Sequence, residues 1–160
     1  MAENGNLKNR KRRKVVLASG VFDLLHLGHV RFLEEAKKAG GPNAELIVIV
    51  ARDKTVQQRK GKKPVVPESQ RCALVASLKV VDKAILGYQN FNMGEVIEKI
   101  HPDVIALGYD SYAGNIGKEV ENYVKEHEPK INVVKIGHFR EDELDSSSKI
   151  KQKIIEDYAK

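Results

Sequence analysis

The sequence predicts an α/β protein: a doubly wound, five-stranded parallel sheet forming one domain. Three observations predict it. Short apolar runs of strand length alternate with segments whose apolar residues recur at helical spacing. The run 46–51 is apolar at every position, which suits a strand covered on both faces. Glycine and proline punctuate the junctions, as at Gly40-Gly41-Pro42.

Residues 1–13 are polar and basic and read as a disordered arm, leaving 14–160 as the domain. A strand is expected over 15–19, closed by Gly20. The helix expected over 28–39 carries Val30, Phe32, Leu33, Ala36 and Ala39 at helical spacing and stops at Gly40. The second strand is 46–51. Residues 53–66, polar and basic around Lys60-Gly61-Lys62-Lys63-Pro64, read as a loop with room for a helical turn. Pro67-Glu68-Ser69-Gln70 opens a helix to about residue 78, proline being tolerated in a first turn. Strands then follow at 83–86, 103–107 and 132–136, with helices at 93–100, 117–126 and 147–158. In such sheets ligands sit beyond the carboxyl ends of the strands, where the winding reverses. Attention therefore falls on 20–29, 52–63, 87–91, 108–110 and the approach to Ser146.

Composition narrows the function classes. At 160 residues, 41% hydrophobic and 31% charged, the chain has the balance of a soluble domain with a core of its own. No apolar run approaches the ~20 residues that cross a bilayer, and none has the form of a signal peptide. A single cysteine, Cys72, forms no internal disulfide, so a cytoplasmic setting is expected. The net charge of +6 is concentrated in Lys8, Arg10, Lys11, Arg12, Arg13 and Lys14. That run reads as a solvated tail rather than a nucleic-acid contact. The remaining charge is nearly balanced and suits a phosphorylated small substrate, with neither membrane nor nucleic acid as partner.

The chemistry concentrates at His26 and His29, which flank Gly28 at a strand-to-helix junction. At a helix start both imidazoles project to one side, beside unpaired N–H groups and the positive end of the helix dipole. Gly28 lets an anion approach the backbone. Two such histidines can donate hydrogen bonds to phosphate oxygens as charge builds on them in a phosphoryl or nucleotidyl transition state. A buried core pair and a partial zinc site are the competing readings. Neither Cys72 nor His101, His127 or His138 supplies a matching ligand spacing.

The string Gly20-x-Phe22-Asp23-x-x-His26-x-Gly28-His29 closely resembles the signature of the cytidylyltransferase-like nucleotidyltransferases. The resemblance continues in Lys60, in Arg71 after Pro67-Glu68-Ser69-Gln70, and in Val81-Asp82 before the third strand. Leu107-Gly108-Tyr109-Asp110 looks like the family's turn at the nucleotide's ribose or base. Ser146-Ser147-Ser148-Lys149-Ile150 looks like its Ser-Thr-Thr-Lys-Ile, whose hydroxyls and helix N-terminus hold the β- and γ-phosphates. The resemblance implies a Rossmann-like fold and a catalytic set of His26, His29 and Lys60. It implies a nucleotide-binding set of Gly20, Val21, Phe22, His26, Leu27, Gly28, His29, Arg71, Gly108, Asp110, Ser146, Ser147 and Ser148, with no protein metal ligands. In one position the chain departs from glycerol-3-phosphate cytidylyltransferases: Glu141 stands where they carry an Arg, with Asp142, Glu143 and Asp145 following.

Within the superfamily, residues 47–56, 60–64 and 81–87 are most similar to the archaeal FAD synthetases. That similarity implies AMP transfer from ATP to FMN with release of pyrophosphate, assisted by a divalent metal ion, Mg²⁺ by expectation. The alternatives are a CTP-dependent glycerol-3-phosphate cytidylyltransferase, a sugar-phosphate adenylyltransferase, or a non-catalytic nucleotide- or RNA-binding module. Tyr88 and Phe91 are read as packing residues that compete with a role in stacking on a flavin. Family habit suggests a homodimer.

Overall fold

The computed structural model describes residues 12–90, 92–139 and 143–159, with the backbone alone at Tyr112 and Ala113. Residues 1–11 of the expected arm, Phe91, and the Arg140–Glu141–Asp142 departure lie outside the described residues. Strand β1 (Val15–Gly20) leads to helix α1 (Leu27–Ala39), β2 (Glu45–Val50), α2 (Asp53–Lys60), α3 (Glu68–Ala76) and β3 (Lys83–Leu86). Then come α4 (Met93–Ile100), β4 (Val104–Gly108), α5 (Tyr109–Ala113), α6 (Asn115–His127), β5 (Asn132–Ile136) and α7 (Ser147–Tyr158).

The five strands form one parallel sheet in the order β3-β2-β1-β4-β5. The strand alternation sorts the core into two layers. Val16, Ala18, Leu46, Val48, Val50, Val104 and Ala106 face Leu33 and Ala36 of α1 and Val75 of α3. Leu17, Ile49, Ile105 and Leu107 face Val96 and Ile97 of α4 and Val120 and Val124 of α6. Both faces are dry, so a strand such as β2 is apolar at successive positions rather than at alternate ones.

Carboxylates hold the amino ends of the strands in register. Asp103 accepts from the Val15 N–H at 2.8 Å. Asp82 accepts from the Leu46 N–H and from Lys37 Nζ, each at 2.7 Å. Two residues expected in the free arm are also engaged: Arg12 pairs with Asp103, and Arg13 Nε donates to the Asn43 carbonyl at 3.0 Å.

From β1 the chain winds outward through β2 and β3, then returns to the other side of β1 with β4 and β5. The winding therefore reverses between β1 and β4, which fixes the site at their carboxyl ends. Two elements correct the expected pattern. Residues 53–60 are a helix, not a loop. Its ends explain why: Glu68 accepts from the Asp53 N–H at 2.7 Å, and Gly61 closes it in a left-handed conformation at φ 74°. The turn expected at 109–110 is the start of the short helix α5.

Candidate active site

The segment joining β1 to α1 is strained and anchored. Phe22 and Leu24 both adopt left-handed backbone, at φ 54° and 47°, which costs a non-glycine residue roughly 1–2 kcal/mol. Between them the buried Asp23 compensates. Its carboxylate accepts from the Val66 N–H at 2.9 Å, the Val65 N–H at 3.0 Å and Lys151 Nζ at 3.0 Å. Burial alone would push this carboxyl up; those donors outweigh it and hold its pKa below the usual carboxylate value. The Asp23 carbonyl also accepts from the Ser147 hydroxyl. One residue thus ties the histidine loop to the basic loop and to the start of α7.

His26 is the N-cap of α1 in extended backbone, and no side chain caps that helix. The first N–H groups of α1 are left for an anion. His26 and His29 stack, with ring centroids 3.8 Å apart and planes 25° apart. Phe22 closes on His29 at 5.3 Å. The Nδ1 atoms of both histidines are buried without a hydrogen-bond partner among the described residues. Burial, and then the charge of His26, push His29 down to about 3. Burial also lowers His26, while the charge of Asp145 acts in the opposite direction. At neutral pH the resting pair is uncharged.

Gly28 is where two helix starts meet. A β-carbon there would stand 2.6 Å from the Asp145 carbonyl oxygen and 2.9 Å from His26 Nδ1, so only glycine lets the approach to α7 pack on α1. Ser146 caps α7, accepting from the Lys149 N–H at 3.2 Å. Its hydroxyl and that of Ser147 are engaged within the protein, while Ser148 is exposed. Gly20 lies under the Phe22 ring, 2.9 Å from the place of a β-carbon. Leu27 is exposed on the first turn of α1. Val21 contributes its carbonyl to Arg71. Gly108 ends β4, and Asp110, exposed on α5, adds a charge that favours the protonated form of His26.

Arg71, expected in the nucleotide-binding set, is 0% exposed, and its guanidinium is engaged within the protein. Its Nε donates to the Val66 carbonyl at 2.8 Å and its Nη1 to the Val21 carbonyl. Its Nη2 meets the Ala51 carbonyl at 2.8 Å and Asp53 at 2.7 Å. It clamps the loops that leave β1 and β2 and the loop that enters α3. Lys60 is exposed at the last position of α2, and the loop beyond it donates the Val65 and Val66 N–H groups to Asp23. Tyr88 packs on the α4–α6 side of the sheet with Lys99 Nζ 4.3 Å above its ring.

Sequence reasoning weighed His138 only as a zinc ligand and Asp145 only as one of four acids beside the serine run, and it passed over the anchoring role of Asp23. His138 stands just past β5, edge-on to Tyr109 at 5.4 Å, and its charge acts on both His26 and Asp145. Its signal was its place after a strand's carboxyl end. Asp145 carried none, because a carboxylate beside a triphosphate site reads as repulsive until its burial is known.

The cytidylyltransferase-like family model matches residues 17–153, and the chain belongs to that family. It is a nucleotidyltransferase. Among its relatives, the FAD synthase of Methanopyrus kandleri is 46% identical over 144 residues, covering 89% of this chain and 93% of that one. The FAD synthase of Thermococcus onnurineus is 38% identical over 153 residues, covering 95% and 99%. A solved structure from Thermoplasma volcanium, described as a lipopolysaccharide core biosynthesis protein, is 40% identical with a TM-score of 0.67. It covers 79% of this chain and 98% of its own.

Proposed function

We propose that this nucleotidyltransferase transfers AMP from ATP to the phosphate of FMN, giving FAD and pyrophosphate. The observation that carries the reading is the stacked His26–His29 pair at the uncapped start of α1, with the start of α7 packed against it at Gly28. The FAD synthase names of relatives that match over nearly their whole length support the choice of substrates.

The triphosphate lies between the two helix starts, where unpaired N–H groups and both dipoles favour its charge. An oxygen of the FMN phosphate, already ionised, attacks the α-phosphorus in line. A new P–O bond forms, and the bond from the α-phosphorus to the bridging oxygen breaks, its electron pair leaving with pyrophosphate. No general base is needed. His26 and His29 donate hydrogen bonds to the oxygens on which charge builds, and Lys60 and Ser148 are the exposed groups available to the outer phosphates. Among the described residues no group of three or more His, Cys, Asp or Glu side chains is placed to hold a metal. A divalent cation, Mg²⁺ in this reading, would enter with the substrate as MgATP and neutralise phosphate charge.

Pyrophosphate release tests the reading. ATP with FMN is expected to give turnover, and CTP with glycerol 3-phosphate or ATP with a sugar phosphate to give little. Release only with CTP would replace the substrates; no release with any pair would remove the enzyme reading. No helix among the described residues is long and apolar enough to cross a membrane. A cytoplasmic enzyme and a homodimer complete the proposal, the latter read by light scattering.

A further inference from the structure

Two arginines stand in one ring of charges at the carboxyl ends of β1, β2 and β3, and only one of them is saturated. The starts of α2 and α3 hold each other: Glu68 accepts from the Asp53 N–H at 2.7 Å, and Asp53 accepts from the Glu68 N–H at 3.3 Å. Each carboxylate also takes a guanidinium, Asp53 that of Arg71 at 2.7 Å and Glu68 that of Arg52 at 2.9 Å. Arg71 is buried with all three of its nitrogens engaged. A guanidinium that only holds the fold is expected to look like this, since a buried donor left unpaired costs stability.

Arg52 differs. Its Nε donates to the Gly87 carbonyl at 2.6 Å and its Nη1 to Glu68, which fixes the plane of the group from two sides. Its Nη2 donates to no described residue and is not buried, and the side chain is 31% exposed. One donor nitrogen is therefore held in place and left open. The sheet sets its position. Ala51, the residue before it, donates its N–H to the Gly20 carbonyl at 2.9 Å, and Gly87 directly follows β3. Arg52 thus stands beside the segment that leads from Gly20 to the histidines, on the β2 and β3 side. Strand β5, from which the chain passes to α7, lies across β1 from it. In the function proposed above the triphosphate lies between the starts of α1 and α7. In-line attack places the acceptor phosphate on the far side of the α-phosphorus from the leaving pyrophosphate.

We propose that Arg52 binds the phosphate of the acceptor. Its Nη2 donates to an oxygen of that phosphate other than the attacking one, and so turns the attacking oxygen toward the α-phosphorus. Because Gly87 and Glu68 already pin the guanidinium, little side-chain freedom is lost when the phosphate arrives. This inference rests on the reading of the reaction as transfer to a phosphorylated acceptor, and it names the residue that recognises the phosphate.

Flavin binding tests it, because riboflavin is FMN without the phosphate. Titrations follow the quenching of flavin fluorescence by the whole chain, with Mg²⁺ and α,β-methylene-ATP present. Arg52→Gln is expected to weaken FMN binding about 10- to 100-fold, the scale of one charge-assisted hydrogen bond. Riboflavin affinity and the KM for ATP are expected to stay unchanged. Arg52→Lys, which keeps a cation beside Glu68 but loses the fork, is expected to weaken FMN alone as well. Equal weakening of both flavins, or an unchanged FMN affinity, overturns the proposal. Should both variants fail to fold, arginine side-chain ¹⁵N NMR of the wild-type protein decides. The Arg52 guanidinium resonances must shift with FMN and not with riboflavin, and any other pattern contradicts the proposal. A wild-type protein that binds neither flavin counts against FMN as the acceptor. Arg52 is then judged by the KM of whichever phosphorylated acceptor gives pyrophosphate release, which must rise in the variants; release with no acceptor overturns both readings.

Discussion

A histidine at a helix start has two ways to meet a phosphate, as a neutral donor or as a cation. His29 is built for the first. Burial under Phe22 and the stacked ring of His26 hold it near 3, so it offers an N–H without a charge to desolvate. Replacing it with alanine removes one donor to the developing charge. His29→Ala is expected to lower kcat about 10²–10³-fold while the far-UV circular dichroism stays unchanged; near-normal turnover would remove His29 from the chemistry. The same depressed pKa has a consequence for stability. Folded His29 binds its proton only near 3, whereas the unfolded chain binds it near the ordinary imidazole value of 6.5. Between those values the unfolded state holds more protons, so stability present above pH 6.5 is lost as pH falls toward 3. Urea midpoints at pH 7 and pH 4.5 are expected to show this fall, and His29→Gln to flatten it. What the sequence showed of these residues was their spacing. It did not show the stacking, because three positions along a helix bring two rings to one face without fixing their separation.

At the scale of the elements, the site is an assembly of loop backbones held by buried charges. Arg71 joins the exits of β1 and β2 to the entry of α3 through the carbonyls of Val21, Ala51 and Val66. Arg71→Met is expected to destabilise the protein on the order of 3–5 kcal/mol, by leaving those carbonyls and Asp53 without their donor. Urea denaturation checks it; a loss confined to ATP affinity, with stability intact, would restore the nucleotide-facing role instead. The sequence pattern pointed to an arginine at this position but not to the carbonyls it holds, since a guanidinium that grips phosphate and one that grips carbonyls are the same residue in the sequence. Helix α2 was hidden for a related reason. It buries Val56 alone, so no apolar period marks it, and its start depends on Glu68, fifteen residues from the N–H it caps. The strands at 83–86 and 132–136 and the helices at 93–100 and 147–158 were legible to the residue, because glycine, proline or a polar cluster bounds each apolar pattern.

The whole molecule explains why separate signals gather in one place. A parallel sheet that reverses its winding between β1 and β4 brings the loops after β1 and β4 and the approach to α7 to one edge. The residues 20–29, 108–110 and 146–148 could therefore be assigned to one site before their contacts were known. The positions of His138 and Asp145 could not, because one depends on a contact with Tyr109 and the other on a close approach to Gly28, neither of which a sequence pattern marks. The account centres on where the nucleotide breaks. ATP labelled with ³²P at the α-phosphorus tests it most directly, with FMN as acceptor and products separated by charge. The label is expected to appear in FAD, and label at the γ-phosphorus in pyrophosphate, with both transfers slowed together in His29→Ala. Label at the α-phosphorus that leaves as free AMP, or that never enters a flavin product, would contradict it.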